Sequence, residues 1–146
     1  MSSVINAILN NVMDTIREYS EIENVSVNSA IFDNSIPYAK VELEDIKYFT
    51  ADDSLHNKWG RAEISIEVSS SSNCELEGYL RLTEICESVT DALLDDSTRD
   101  GNCVDLPIGK ATEISTITRP GNSNSSNWFK ICINCHFELS KTDQGE

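Results

Sequence analysis

Arg61-Ala-Glu-Ile-Ser-Ile-Glu-Val68 alternates without a break. In an extended chain successive side chains point to opposite faces, so Ala62, Ile64, Ile66 and Val68 form one apolar face and Arg61, Glu63, Ser65 and Glu67 a solvated one. A strand with one dry and one wet face belongs to an antiparallel sheet that is covered on a single side. The C-terminal stretch has the same grammar. Phe129, Ile131, Ile133, Cys135, Phe137 and Leu139 share a face, with Trp128, Lys130, Cys132, Asn134, His136 and Glu138 on the other. What covers the apolar side of these strands must come from elsewhere in the chain.

Two segments have the right periodicity. Val4, Ile8, Val12 and Ile16, with Ile5, Leu9 and Met13, recur every fourth position behind a capping Ser2 or Ser3, and predict an amphipathic helix ending near Tyr19. After the cap-rich run 69–73, Glu75 and Glu77 suit the first turn of a second helix. Its stripe is Leu76, Tyr79, Leu80, Thr83, Cys86, Val89 and Leu93, widened by Leu82 and Ile85. Further strands are expected at Val25, Val27, Ser29 and Ile31, and at Ala39, Val41 and Leu43, whose wet side carries Lys40, Glu42 and Glu44. Residues 103–118 are rich in β-branched types but interrupted by Pro107 and Gly109, which predicts a strand with an irregularity or an edge position. The acidic run 95–102 is expected as a linker, and 50–58 and 119–127 as long polar loops. The order helix, strand, strand, strand, helix, strand, strand predicts a two-layer α+β fold. Its sheet is mostly antiparallel, of about five strands, with the two amphipathic helices packed on one face. Residues 1–146 are expected to form a single domain, with 140–146 a flexible tail.

Charge and composition exclude several classes. Lys and Arg number 11 against 25 Asp and Glu, a net charge of −14. Such a balance repels polyanions and argues against sequence-independent binding to nucleic acid and against an anionic-membrane anchor. No apolar run approaches the roughly 20 residues that cross a bilayer, and the N-terminal residues lack the basic-then-apolar pattern of an export signal. A cytosolic site of folding is therefore expected, with the five cysteines reduced rather than paired.

The motifs of catalysis are sparse. Cys132-Ile133-Asn134-Cys135-His136 matches the C-x-x-C-H pattern of covalent haem attachment letter for letter. On a strand, however, Cys132 and Cys135 point to opposite faces, so neither haem nor another cofactor is expected. No metal is expected either, because Cys74, Cys86 and Cys103 lack finger-like spacing. His56 and His136 lie near no nucleophile motif, no phosphate-cradling glycine loop is present, and Asp52-Asp53 and Asp95-Asp96 lack calcium-loop spacing. No enzyme is expected. Contact surfaces are the better candidates. The two polar loops exceed the two to five residues a hairpin needs. Asp52, Asp53, His56, Lys58, Asn122 and Asn124 lie in them, flanked by Trp59, Arg61, Arg119 and Trp128. Trp and Arg are the residue types that most often anchor interfaces.

In its order of elements the chain resembles the tail-terminator (tail-completion or neck) proteins of long-tailed bacteriophages and related tail-like particles. The resemblance is carried by the helix 4–19, by Pro37-Tyr38-Ala39-Lys40-Val41 leading into a strand, and by the Arg-led strand 61–68. That strand ends in Ser before a helix bearing Glu75 and Tyr79. Ala92-Leu93-Leu94, Asp105-Leu106 and the long C-terminal strand complete it. It implies a structural protein of the virion tail or neck, assembled in the host cytoplasm. Such a subunit forms a homohexameric ring that caps the tail tube, ends tube polymerisation and docks to the head connector. In a contractile tail it also meets sheath. DNA passes through such a ring without specific binding, and Glu42, Glu44, Glu63 and Glu67 are the candidate acids facing that channel. The alternative is a small acidic inhibitor or chaperone-like protein acting as monomer or dimer on a basic partner.

Overall fold

The computed structural model describes residues 3–19, 22, 24–27, 38–50, 58–71, 75–105, 109–123 and 126–138. The elements are α1 (Val4–Tyr19), β1 (Asn24–Val27), β2 (Tyr38–Thr50), β3 (Lys58–Ser71), α2 (Glu75–Asp95), β4 (Thr112–Ser123) and β5 (Ser126–Glu138). They build one five-stranded sheet in the order β1-β2-β3-β5-β4. β1 runs parallel to β2 and every other pair is antiparallel. The fold is α+β, and the strand with the cleanest alternation, β3, lies at the centre of the sheet.

Alternation explains the layers. Ala62, Ile64, Ile66 and Val68 of β3 are fully or almost fully buried together with Ile131, Ile133, Cys135 and Phe137 of β5 and Ala39 and Val41 of β2. On this face α1 lays down Ile8, Val12 and Ile16 and α2 lays down Leu82, Ile85, Cys86, Val89 and Leu93, all in one core. Ser3 caps α1, its hydroxyl accepting from the backbone N–H of Ile5 at 3.1 Å and of Asn6 at 3.3 Å. Arg17 Nη2 donates to the Val25 carbonyl at 3.0 Å and ties the end of α1 to β1.

Several expectations are corrected. Tyr79 and Leu80 are 36% and 54% exposed, so the buried stripe of α2 is rotated toward Leu82, Ile85, Val89, Ala92 and Leu93. The strand expected from Cys103 begins only at Thr112, because Cys103 and Val104 send their N–H groups to the Thr98 and His136 carbonyls instead of along a ladder. Its edge position and irregularities are present, the latter between Ile114 and Thr116 and between Thr118 and Gly121. The expected loop 119–127 is largely strand: Gly121 pairs with Trp128, Asn122 with Asn127 and Ser123 with Ser126. The loop residues 51–57, the possible strand residues Ser29 and Ile31, and the tail 140–146 lie outside the described residues.

Residues 95–102 are a built turn rather than a linker. Arg99 and Asp100 have φ of 50° and 58°, and Gly101 of 81°, a left-handed run that side chains must hold. Asp96 does so by accepting from Thr98 N–H at 3.1 Å, Thr98 Oγ1 at 2.7 Å and Asp100 N–H at 2.9 Å. Arg99 is fully buried and turns its guanidinium back to donate to the Leu93 and Asp96 carbonyls. The last turn of α2 contains no basic residue, so this arginine from beyond the helix satisfies its terminal acceptors.

Candidate functional site

Both helices lie on one side of the sheet, and the odd-numbered side chains of β3 face the other, uncovered side. Cross-strand register arranges that face in rows. From one end to the other, Ser69 stands beside Trp128, then Lys40 beside Glu67 and Lys130, Glu42 beside Ser65 and Cys132, and Asp45 beside Glu63. Glu63 is also beside Asn134, which in turn neighbours Glu113. Lys47, Arg61 and His136 make the next row, and Phe49, Trp59 and Glu138 the last. The irregularity between Leu43 and Asp45 turns Glu44 onto the same face, where it accepts a 2.6 Å hydrogen bond from Ser65 Oγ.

This places the four candidate channel acids, Glu42, Glu44, Glu63 and Glu67, together on the uncovered face. They are not a uniform field. Lys40 Nζ is 3.2 Å from Glu42, and burial of that ammonium works against a pKa that Glu42 and Glu67 together hold above the usual lysine value. Glu67 sits between Lys40 and Lys130 in register. The densest acid lies on the helix layer instead. Asp14, Glu18, Glu84, Glu87, Asp91, Asp95, Asp96 and Asp100 are all exposed there, with only Arg17 and Arg81 as cations on the two helices.

The candidate interface residues separate into two groups at opposite ends of the sheet. At one end Trp59 stacks on Phe49 with ring centroids 4.2 Å apart, and Arg61 lies 6.0 Å from the Phe49 centroid. The buried Nε of Arg61 has no hydrogen-bond partner. On the helix side at the same end, Tyr48, 61% exposed, packs edge-on to Phe137. At the other end Trp128 is half-buried beside Ser69. Next to it, on the helix side, Arg119 lies 4.9 Å over Tyr79, whose ring stacks on Phe129 at 6.1 Å. Ten residues of β3 separate the rows of Trp59 and Trp128, roughly 33 Å at strand rise. Lys58 pairs with Thr50 and Asn122 with Asn127, while Asp52, Asp53, His56 and Asn124 lie outside the described residues.

Phe49, Tyr48 and Tyr79 were missed by sequence reasoning. Continuing the alternation of β2 past Glu44 puts Phe49 on the dry face with Val41 and Leu43, but the extra residue at the irregularity shifts the phase and brings it to the uncovered face beside Trp59. The C-x-x-C-H match dissolves into strand geometry: Cys132 is half-buried on the uncovered face and Cys135 fully buried on the other. Cys103 is the hydrogen-bond partner of Cys135, which holds the Cys135 thiol below its ordinary value and pushes that of Cys103 up. His136 is buried, with Nδ1 2.7 Å from the Lys110 carbonyl, to which it donates as the Nδ1–H tautomer. Among the described residues no group of three His, Cys, Asp or Glu is placed to hold a metal ion, and no helix is long and apolar enough to cross a membrane.

No family model and no curated protein matches the chain. Among solved structures it is similar to the sheath/tube terminator of an extracellular contractile injection system, PVC, in its extended state, with a TM-score of 0.43 and 13% identity. The match covers 96% of this chain and 58% of that one, so the chain spans less than two thirds of that terminator's length.

Proposed function

We propose that this chain is a tail-terminator subunit, a structural protein of the tail or neck of a virion or virion-like particle. Six copies close a ring on the end of a tail tube, stop its polymerisation and offer the opposite side of the ring to the head connector. Where the tail is contractile, the same ring contacts the last sheath layer. The observation that carries this reading is that aromatic and cationic side chains gather at opposite ends of one sheet. Trp59 stands with Phe49 and Arg61 at one end; at the other are Arg119 with Tyr79 and Phe129 on the helix side and Trp128 on the uncovered side. A joining protein needs two contact ends, and desolvated Trp and Arg are the side chains that most often anchor such contacts. The resemblance in order of elements along nearly the whole chain supports the same reading.

In this arrangement the strands run along the channel and the uncovered face, with seven carboxylates against four cations among the described residues, meets the passing duplex. Few cations means few phosphates neutralised, so the duplex does not adhere. No catalytic step is assigned to the chain. The test separates the two ends. Trp59→Ala with Arg61→Ala should abolish one of the two contacts, tube or connector, and Trp128→Ala the other, with melting temperatures near that of the parent chain. Variants that bind both partners as the parent does would overturn the assignment of the ends.

The acidic helix layer favours a second reading, a small protein that clasps a basic partner. Such a protein stays monomeric or dimeric when mixed with tube subunits and releases its partner as salt is raised.

A further inference from the structure

β4 is the last strand of the sheet, and among the described residues no strand pairs along its outer side. Residues 115–119 are exposed, and Thr116, Ile117 and Thr118 hold regular register with β5 between the two irregularities. Alternate backbone groups of that stretch point away from β5 and are open to another strand. Three regular residues offer little backbone pairing by themselves, so an added strand needs a side-chain anchor as well. One is available immediately above. Ile117 pairs with the fully buried Ile131, on the helix side of the sheet, yet is 46% exposed because α2 stops short of the edge.

The gap is a groove of about 280 Å³ between α2 and the sheet edge. That is just under the roughly 300–1,000 Å³ of small-molecule pockets, which favours side chains over a cofactor-sized ligand. Ile117, Phe129 and Cys86 form its apolar surface. Burial pushes the Cys86 thiol up, so it stays neutral. The hydroxyls of Thr83 and Thr90 donate to the Tyr79 and Cys86 carbonyls at 2.9 and 2.8 Å and so make no demand on an occupant. What remains polar is the rim, where Glu87 and Asp91 stand exposed and where, among the described residues, no Lys or Arg lines the groove. A second copy, with net charge −14, is poorly matched to an acidic rim.

We propose that β4 and this groove receive an extended segment of a partner protein that carries an aliphatic residue with a lysine or arginine two positions away. The backbone adds to Thr116–Thr118, the aliphatic side chain fills the space between Ile117 and Phe129, and the cation, two residues along and therefore on the same side, meets Glu87 or Asp91. This does not rest on the terminator reading, since any partner protein that carries such a segment can supply it.

The probe is a blocked heptapeptide with threonine at odd positions, valine at the centre and lysine two positions to either side, titrated into the ¹⁵N-labelled full chain. Amide shifts are expected at residues 115–119 and along the Cys86 to Asp91 stretch of α2. Binding should weaken at least tenfold with Ile117→Lys, whose half-exposed site spares the fold, and at least tenfold when glutamate replaces both lysines. N-methylation of one of the two alternate sets of peptide amides should also weaken it at least tenfold, because only one set faces β4. Absence of shifts in the groove, or shifts confined to the acidic surface of α1 and α2, would overturn the proposal. So would undiminished binding by both N-methylated peptides, or a dimer of the chain whose interface is β4 itself.

Discussion

Gly60 shows what single positions contribute. It pairs with Phe137, and a Cβ built on it would stand 2.5 Å from Phe137 Cζ and 3.1 Å from the Lys47 carbonyl. Neither the buried ring nor the backbone can withdraw cheaply, so Gly60→Ala is expected to cost about 1–3 kcal/mol in chemical denaturation, the range for overpacking. A change within 0.3 kcal/mol would mean that the ring is looser than its near-complete burial indicates. Asp96 gives a pH test. The hydrogen bond from Thr98 Oγ1, then that from the Asp100 N–H, hold its carboxyl below the usual carboxylate range. A lowered folded pKa stabilises the protein above the unfolded value near 3.9 and loses that contribution as pH falls through the folded value. Asp96→Asn should therefore lower stability at pH 7 by a few tenths to about 1 kcal/mol, the exposed site screening part of the effect. The difference should shrink below about pH 4. A gap that persisted at pH 2 would show that ionisation is not its source. Neither the close approach at Gly60 nor the turn that Asp96 and Arg99 build was legible in advance. Gly60 meets Phe137 and Arg99 folds back on Leu93 through three-dimensional neighbours that no local pattern encodes.

At the level of elements, the alternation of β3 and β5 and the first helix were legible, because each carries its own burial pattern, whereas the irregularity in β2 was not. Ile66 and Ile131 are completely buried, while their neighbours Glu67 and Lys130 face each other on the uncovered side. Ile66→Asp or Ile131→Asp should abolish cooperative thermal unfolding, since an unpaired carboxylate in the core costs several kcal/mol. Glu67→Ser and Lys130→Ser should each stay within about 1 kcal/mol of the parent. Equal melting temperatures in the two groups would contradict the phase of both strands. The hairpin was misread for a physical reason. Gly121, Asn122, Ser123 and Ser126 have turn-forming composition, yet cross-strand pairing extends both strands through them. Replacing residues 120–127 by a four-residue Gly-Ser turn removes the pairs Gly121–Trp128, Asn122–Asn127 and Ser123–Ser126. A fall in melting temperature of at least about 2–4 °C is expected, the equivalent of 1 kcal/mol in a domain of this size. An unchanged value would mean that these pairs add nothing to stability. The stripe of α2 failed differently: a broad apolar face does not say which of its edges meets the sheet, and Leu80 fell on the open one.

Across the whole molecule, the sequence implied a covered sheet face and a wet one but could not give the distance between its candidate contacts. Trp59 and Arg61 on the one hand and Arg119 and Trp128 on the other border stretches of similar polar composition, and only the register of β3 against β5 sends them to opposite ends. That separation is what turns a list of anchors into a part with two sides, and it is the basis for reading the chain as a joint between tube and connector. The direct measurement is electron microscopy of tail-tube subunits polymerising with and without the purified chain, scored for rings at tube ends and for tube length. The terminator reading predicts six-fold rings on tube ends and an arrest of growth at stoichiometric protein. Tubes that lengthen unchecked with bare ends, beside a chain that remains at its 16.2 kDa monomer mass, would contradict it.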